Sequence, residues 1–169
     1  MLIIGTEEPL AVAVVGAIHS GDQERLRRLL TENPGLATAR LGDNPDKGDG
    51  CGMTRSLLHV ATDWPGHFPH GARTVVTLVA AGADVKARFT GPHTETPLHW
   101  AASSDDVEVL DALLDAGADL EAPGAVIAGG TPLGDAVAFG QWNTARRLWS
   151  VEQRPCSGMP QHSDWSILS

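Results

Sequence analysis

A chain of 169 residues with 42% apolar side chains is long enough to bury a core, and its 12 basic and 21 acidic residues leave a net charge of −9. The apolar fraction suits a globular chain and not a disordered one, and the acidic balance argues against a phosphate-tracking surface, because nucleic-acid binding rests on clustered Lys and Arg. The only cysteines, Cys51 and Cys156, lie far apart and outside any CxxC pair, so no disulfide framework is expected and a reducing cytoplasm is the expected location.

The first candidate element is Leu10 to Ile18, "LAVAVVGAI". Glu7 and Glu8 precede it without a Lys or Arg, the wrong charge for a secretory signal. Nine apolar residues are too few to span a bilayer, so the run is expected to be a buried helix and no membrane association is expected. The stretch "AIHSGDQERLRRLLTENPGLA" (17–37) has a helix–turn–helix rhythm, and Arg25, Arg27 and Arg28 around Leu26 read as its solvated face. The Gly- and Asp-rich segment 37–54 follows, expected to contribute no core element.

"SLLHVAT" (56–62) reads as a short helix ending near Asp63. The text "WPGHFPH" (64–70) cannot continue it, because two prolines and a glycine break a helix. A second helix starts near Gly71 with Val75, Val76, Leu78 and Val79 on one stripe. The pattern then returns. "TPLHWAA" (96–102) and "TPLGDAV" (131–137) echo "SLLHVAT", and "LDAGADL" (114–120) echoes "VAAGADV" (79–85). Leu58 to Leu98 is 40 residues and Leu98 to Leu133 is 35. The five-residue excess is assigned to "WPGHFPHG", which is expected to project at the helix–helix turn. The connectors "KARFTGPHTE" (86–95) and "EAPGAVIAGG" (121–130) fill corresponding places.

This repeat resembles the ankyrin repeat, with a period near 33 residues and a T-P-L-H-x-A signature. The likeness spans roughly residues 10–150, strongest at 95–122, and the Trp-Pro-Gly loop is similar to that of a group of small bacterial ankyrin proteins. The resemblance implies an all-α solenoid of about four helix-turn-helix repeats, near 8–40, 54–88, 95–122 and 130–150, with long finger loops. It also implies that His59 and His99 are buried structural hydrogen-bonders between repeats, a role Gly134 cannot fill. Pro97 and Pro132 suit a first helical position, with Thr96 and Thr131 as caps. Gly82 and Gly117 fall where a helix ends left-handed.

Five Trp and no Tyr draw attention to the aromatics. Trp64, Phe68, Trp100, Phe139 and Trp142, with Asp63, His67, His70 and Asp135, form the candidate binding set. Asp105 and Asp106 precede a helix and read as N-caps. His67 and His70 with Asp63 are too few for a zinc site, so neither metal nor cofactor is expected. An Asp135–His99 catalytic pair has no motif behind it, and the chain is expected to be a non-enzyme. The expected function is recognition of a protein partner through the concave face and the 64–70 loop. The alternative is a small-molecule site or enzyme pocket beneath that loop, walled by Trp64, His67, Trp100, Asp135 and Trp142. Residues 151–169 carry no helical period and no Gly-Ala-Asp closing, and read as a changed frame or interrupted continuation. Leu148 and Trp149, with the tail's Trp165, Ile167 and Leu168, are expected to seek cover by folding back or by weak pairing of two chains; otherwise the chain is a monomer.

Overall fold

The computed structural model describes residues 2–42 and 52–153. Within them the helices follow as pairs: α1 (Pro9–Ser20) with α2 (Gln23–Glu32), α3 (Leu57–Thr62) with α4 (Gly71–Ala80), α5 (Pro97–Ser103) with α6 (Val107–Asp115), and α7 (Pro132–Ala138) with α8 (Trp142–Glu152). The first helices pack in series, α1 on α3, α3 on α5 and α5 on α7. The second helices do the same, α2 on α4, α4 on α6 and α6 on α8.

Stacking is what makes these elements stable. Helices of six or seven residues do not hold alone in water. Each pair therefore donates its apolar stripe to a shared core. Leu58 and Leu98 from the first row, and Leu26, Leu78, Leu110, Leu113 and Leu148 from the second, are all buried in it. Each such leucine is worth about 1.5–3 kcal/mol in surface removed from water. Small residues in the first row (Ala61, Ala101, Ala102, Ala136) are buried too, which lets those helices approach closely. The N-terminal run is the expected buried helix, with Ala11, Val14, Ala17 and Ile18 inward on α1.

The repeat signature has a local physical meaning at both ends. Pro97 and Pro132 each begin a first helix. Thr131 accepts a hydrogen bond from the Gly134 N–H, and Ser56 accepts one from the His59 N–H. At the other end, Gly82 (φ 100°) and Gly117 (φ 90°) are left-handed, the conformation that closes a helix and that glycine adopts without penalty.

The expectation of a purely helical chain is corrected by a small sheet. β1 (Ile3–Ile4) pairs in parallel with β2 (Arg40–Gly42), which pairs antiparallel with β3 (Thr54–Ser56). The segment 37–54 was expected to contribute nothing to the core, yet its flanks do. Ala39 and Leu41 are buried, and so is the Arg40 side chain. Gly and Asp are concentrated in the middle of that segment, at 43–51, which lies outside the described residues; the flanks "ARLG" and "TRS" carry the β-compatible side chains. Cys51, Cys156 and the tail aromatic and aliphatic residues Trp165, Ile167 and Leu168 also lie outside the described residues.

Candidate interaction groove

The connection from α3 to α4 is eight residues long, Asp63 to His70, where α5 and α6 are joined by three. The excess is the five residues that the repeat spacing assigned to it. It is non-helical throughout, but it lies against its neighbours instead of standing away from them. Phe68 stacks on His19 of α1, with ring centroids 4.3 Å apart. Pro69 crosses the turn after α1 so closely that a Cβ at Gly21 would sit 2.1 Å from the Pro69 carbonyl oxygen. On the other side the His67 N–H donates to Asp106 Oδ2 at 2.7 Å, and a Cβ at Gly66 would meet the Ser104 side chain at 2.7 Å. The loop is thus fastened to the preceding pair and to the following one. His67 and His70 both adopt positive φ (55° and 57°), a conformation that costs a non-glycine residue energy and persists only where surrounding contacts impose it.

One side chain of the loop escapes this packing. Trp64 is 80% exposed. It stands at the rim of an open depression of about 180 Å³, lined also by Asp63, Glu95, Trp100 and Phe139. Phe139, 49% exposed, occupies the far side. Trp100, on α5, is half-buried because its ring meets His59 edge-on at 4.9 Å and lies tilted to Phe89 at 5.6 Å. Phe89 in turn stacks on His93 at 4.5 Å. Trp100, Phe89 and His93 also line an adjoining hollow of about 400 Å³, with Leu41, Met53 and Arg55. The two hollows make one groove along the line where first helices meet the connectors. Asp63 is tied to Arg55 by an ion pair at 2.5 Å.

A buried carboxyl pair lies behind the groove. Glu95 Oε1 accepts from the Val126 N–H at 2.8 Å, and Oε2 lies 3.2 Å from His93 Nδ1. Asp135, on α7, is only 1% exposed, and neither of its oxygens has a donor. The group facing it is the Glu95 carboxyl. Two carboxylates are both acceptors, so they bond only when one carries a proton. Burial, and then the negative charge of Glu95, push Asp135 up to about 7.

Structural polar groups surround this site. His59 Nδ1 lies 2.8 Å from Ser56 Oγ, and its Nε2 lies 3.1 Å from the Glu95 carbonyl in the next pair. His99 repeats the arrangement with Thr96 and with the Gly130 carbonyl, at 2.9 and 3.3 Å. The bridging role expected of both histidines is met, and Gly134 leaves the last pair without it. Burial lowers both histidines, His59 to about 3. Asp106 caps α6 as expected, accepting from the Val109 N–H. Asp105 caps a different helix. Its carboxylate accepts from the N–H groups of Asn143 and Thr144 at the start of α8. Partial burial raises this group, but those N–H groups outweigh it and hold its pKa below the usual carboxylate value.

Of the candidate residues, the fold brings Asp63, Trp64, Trp100 and Phe139 into one depression and places Asp135 behind Glu95. His67 and Phe68 line a separate hollow between the loop and the start of α6. His70 precedes α4 as its cap residue. Trp142 begins α8 and is 59% exposed. Among the described residues no group of three or more His, Cys, Asp or Glu has the geometry to hold a metal ion. Glu95, His93 and Phe89 were missed. Their signal was weak, a "FTGPHTE" connector whose residues were read only as a finger loop.

Arg40 was missed as well. Its guanidinium donates to Thr54 Oγ1 at 2.6 Å, to the Thr54 carbonyl at 2.8 Å and to the Arg88 carbonyl at 2.5 Å. Arg88 reaches on to the carbonyls of Thr94 and Pro123. Two arginines thus stitch successive connectors together and fix the groove wall.

The family model for the ankyrin repeat matches residues 93–125. Residues 93–125 are thus an ankyrin repeat. The matched segment holds Glu95, Thr96, His99 and Trp100, with α5, α6 and the "AGAD" closing. No curated protein matched the chain. Ankyrin repeats generally mediate protein–protein interaction. Among the described residues no helix is long and apolar enough to cross a membrane.

Proposed function

We propose that this ankyrin-repeat chain is a non-catalytic interaction module, a four-repeat solenoid that binds a protein partner along the groove between its first helices and connectors. The observation that carries the reading is Trp64, a large apolar side chain 80% exposed on a loop fastened at both sides. An aromatic held in place before binding loses little freedom on contact, which is the property of an interface anchor. Phe139 and the exposed edge of Trp100 extend the apolar surface, with Asp63 and Arg55 as its polar rim. Trp142 and His70 lie on the turn side and add to a footprint that wraps over that edge. His67 and Phe68 serve the footprint by holding the loop.

Shape favours a protein partner over a metabolite. Both hollows of the groove, about 180 and 400 Å³, are open instead of enclosed, unlike the cavities that bury most of a small ligand. His67, Asp135 and Trp142 do not line the depression beside Trp64, so only Trp64 and Trp100 of the five walls expected for a pocket beneath the loop meet there. A cytoplasmic setting suits the sparse cysteines. Pairing of two chains through the C-terminal end is a separate proposal, tested by light scattering on the full chain.

The reading is tested with a photo-crosslinking residue placed at position 64 or, as a control, at Val76 on α4. Under native conditions, position 64 is expected to capture a partner protein that position 76 does not. Equal capture from both positions would contradict the assignment of the groove.

A further inference from the structure

Resting on that reading of the groove, we propose that the depression walled by Trp64, Trp100 and Phe139 accepts a cationic side chain, lysine or arginine, from the protein partner. Two independent features converge on this chemistry. The first is aromatic. Three rings border one open hollow of about 180 Å³, a size suited to the end of a side chain. Ring faces attract cations, and arginine most often.

The second is the buried carboxyl pair. Glu95 lines the hollow, and Asp135 stands behind it with both oxygens lacking any donor. A buried acceptor without a partner is costly, and here the neighbouring group is another carboxyl. A cation in the hollow supplies the missing positive charge and lets both carboxyls ionise. Of the other charged and titratable groups nearby, Arg55 is paired with Asp63 and His99 lies on the Gly130 carbonyl, while His93 Nδ1 sits 3.2 Å from Glu95 Oε2 without a hydrogen bond to it. No cation is held against Asp135 from within the described chain. The chain's net charge of −9 draws a basic partner toward the groove.

The test uses the full chain and four small probes, the N-acetyl methylamides of arginine, lysine, citrulline and norleucine. The tryptophan indole N–H signals are followed by NMR during titration. The arginine and lysine probes are expected to shift the Trp64 and Trp100 indoles saturably, binding at least about ten-fold tighter than the neutral pair, about 1.4 kcal/mol. Glu95→Gln with Asp135→Asn is expected to remove that preference while the amide spectrum stays dispersed. Should the double variant fail to fold, Trp64→Ala, at an exposed loop position, is expected to weaken the arginine probe by a comparable factor. Equal binding of citrulline and arginine would overturn the cation site and leave the groove as an interaction surface. Absence of any saturable shift would overturn the cation site as well, and the groove reading would then stand or fall on the crosslinking result.

Discussion

Phe68 lies flat on His19, with ring centroids 4.3 Å apart and planes 16° from parallel. The contact joins the eight-residue α3–α4 connection to the first helix of the preceding pair. It turns an inserted loop into part of the stack. Phe68→Ala is expected to cost about 2–3 kcal/mol, less than the roughly 3–5 of a core aromatic because Phe68 is half-buried, and to leave Trp64 without a fixed position. Urea denaturation measures the first effect. Faster hydrogen exchange at residues 64–71 measures the second.

Asp105 and the first turn of α8 make a second inter-repeat tie. The carboxylate accepts from the Asn143 and Thr144 N–H groups at 3.1 and 2.9 Å and from the Asn143 side chain at 2.6 Å. It therefore does the work of an N-cap from one repeat away. Asp105→Ala is expected to lose about 1–2 kcal/mol, as a deleted cap does, and to fray α8 first. Reduced protection of residues 143–146 in hydrogen exchange, with α4 unaffected, checks the location as well as the size.

The buried histidines set the acid limit of stability. His59 has a folded pKa near 3, below its ordinary 6.5, because burial disfavours the charged ring. The unfolded chain therefore binds more protons in that window. Stability is fully present above about 6.5 and falls as pH drops toward 3. His99 is shifted in the same direction. His59→Gln removes one of these contributions. It is expected to flatten the melting-temperature decline between pH 6.5 and 4, while lowering stability at pH 7 through the lost bridge to the Glu95 carbonyl.

Asp135 works with the opposite sign. Its folded pKa, pushed up to about 7 from 3.8, means that the folded chain binds more protons between those values. Its contribution is greatest below about 4 and is lost as pH rises through 7. Asp135→Asn keeps the shape and removes the charge. The variant is expected to be more stable than the parent at pH 8, by about 1–3 kcal/mol. The gap should close toward pH 4. Thermal melts at three pH values decide it, and a variant less stable at pH 8 would contradict the account.

The helical part of the fold was legible because its signals are local. Pro97 and Pro132 at helix starts, glycine at 82 and 117 and the spacing of Leu58, Leu98 and Leu133 each act within one turn or one repeat. The length of the 63–70 insertion was legible from the same spacing. Its course was not, since nothing in "WPGHFPH" names His19, Gly21 or Asp106 as its supports. The sheet was missed because β2 and β3 meet across a gap of eleven residues, and a strand of three residues has no period to read. The site was half legible. Trp64, Trp100 and Phe139 stand out by type, but Glu95 gains its meaning only when Asp135, 40 positions later, is folded against it.

The central claim is that Trp64 is an anchor presented by a fixed loop. It is tested most directly by selecting peptides that bind the full chain from a displayed library, then measuring their affinity for Trp64→Ala. The account predicts that binders competing at the groove lose at least about ten-fold in affinity, as for a loss of 1.4 kcal/mol or more, while the variant melts at the parent's temperature. Selected binders that hold Trp64→Ala as tightly as the parent would contradict it.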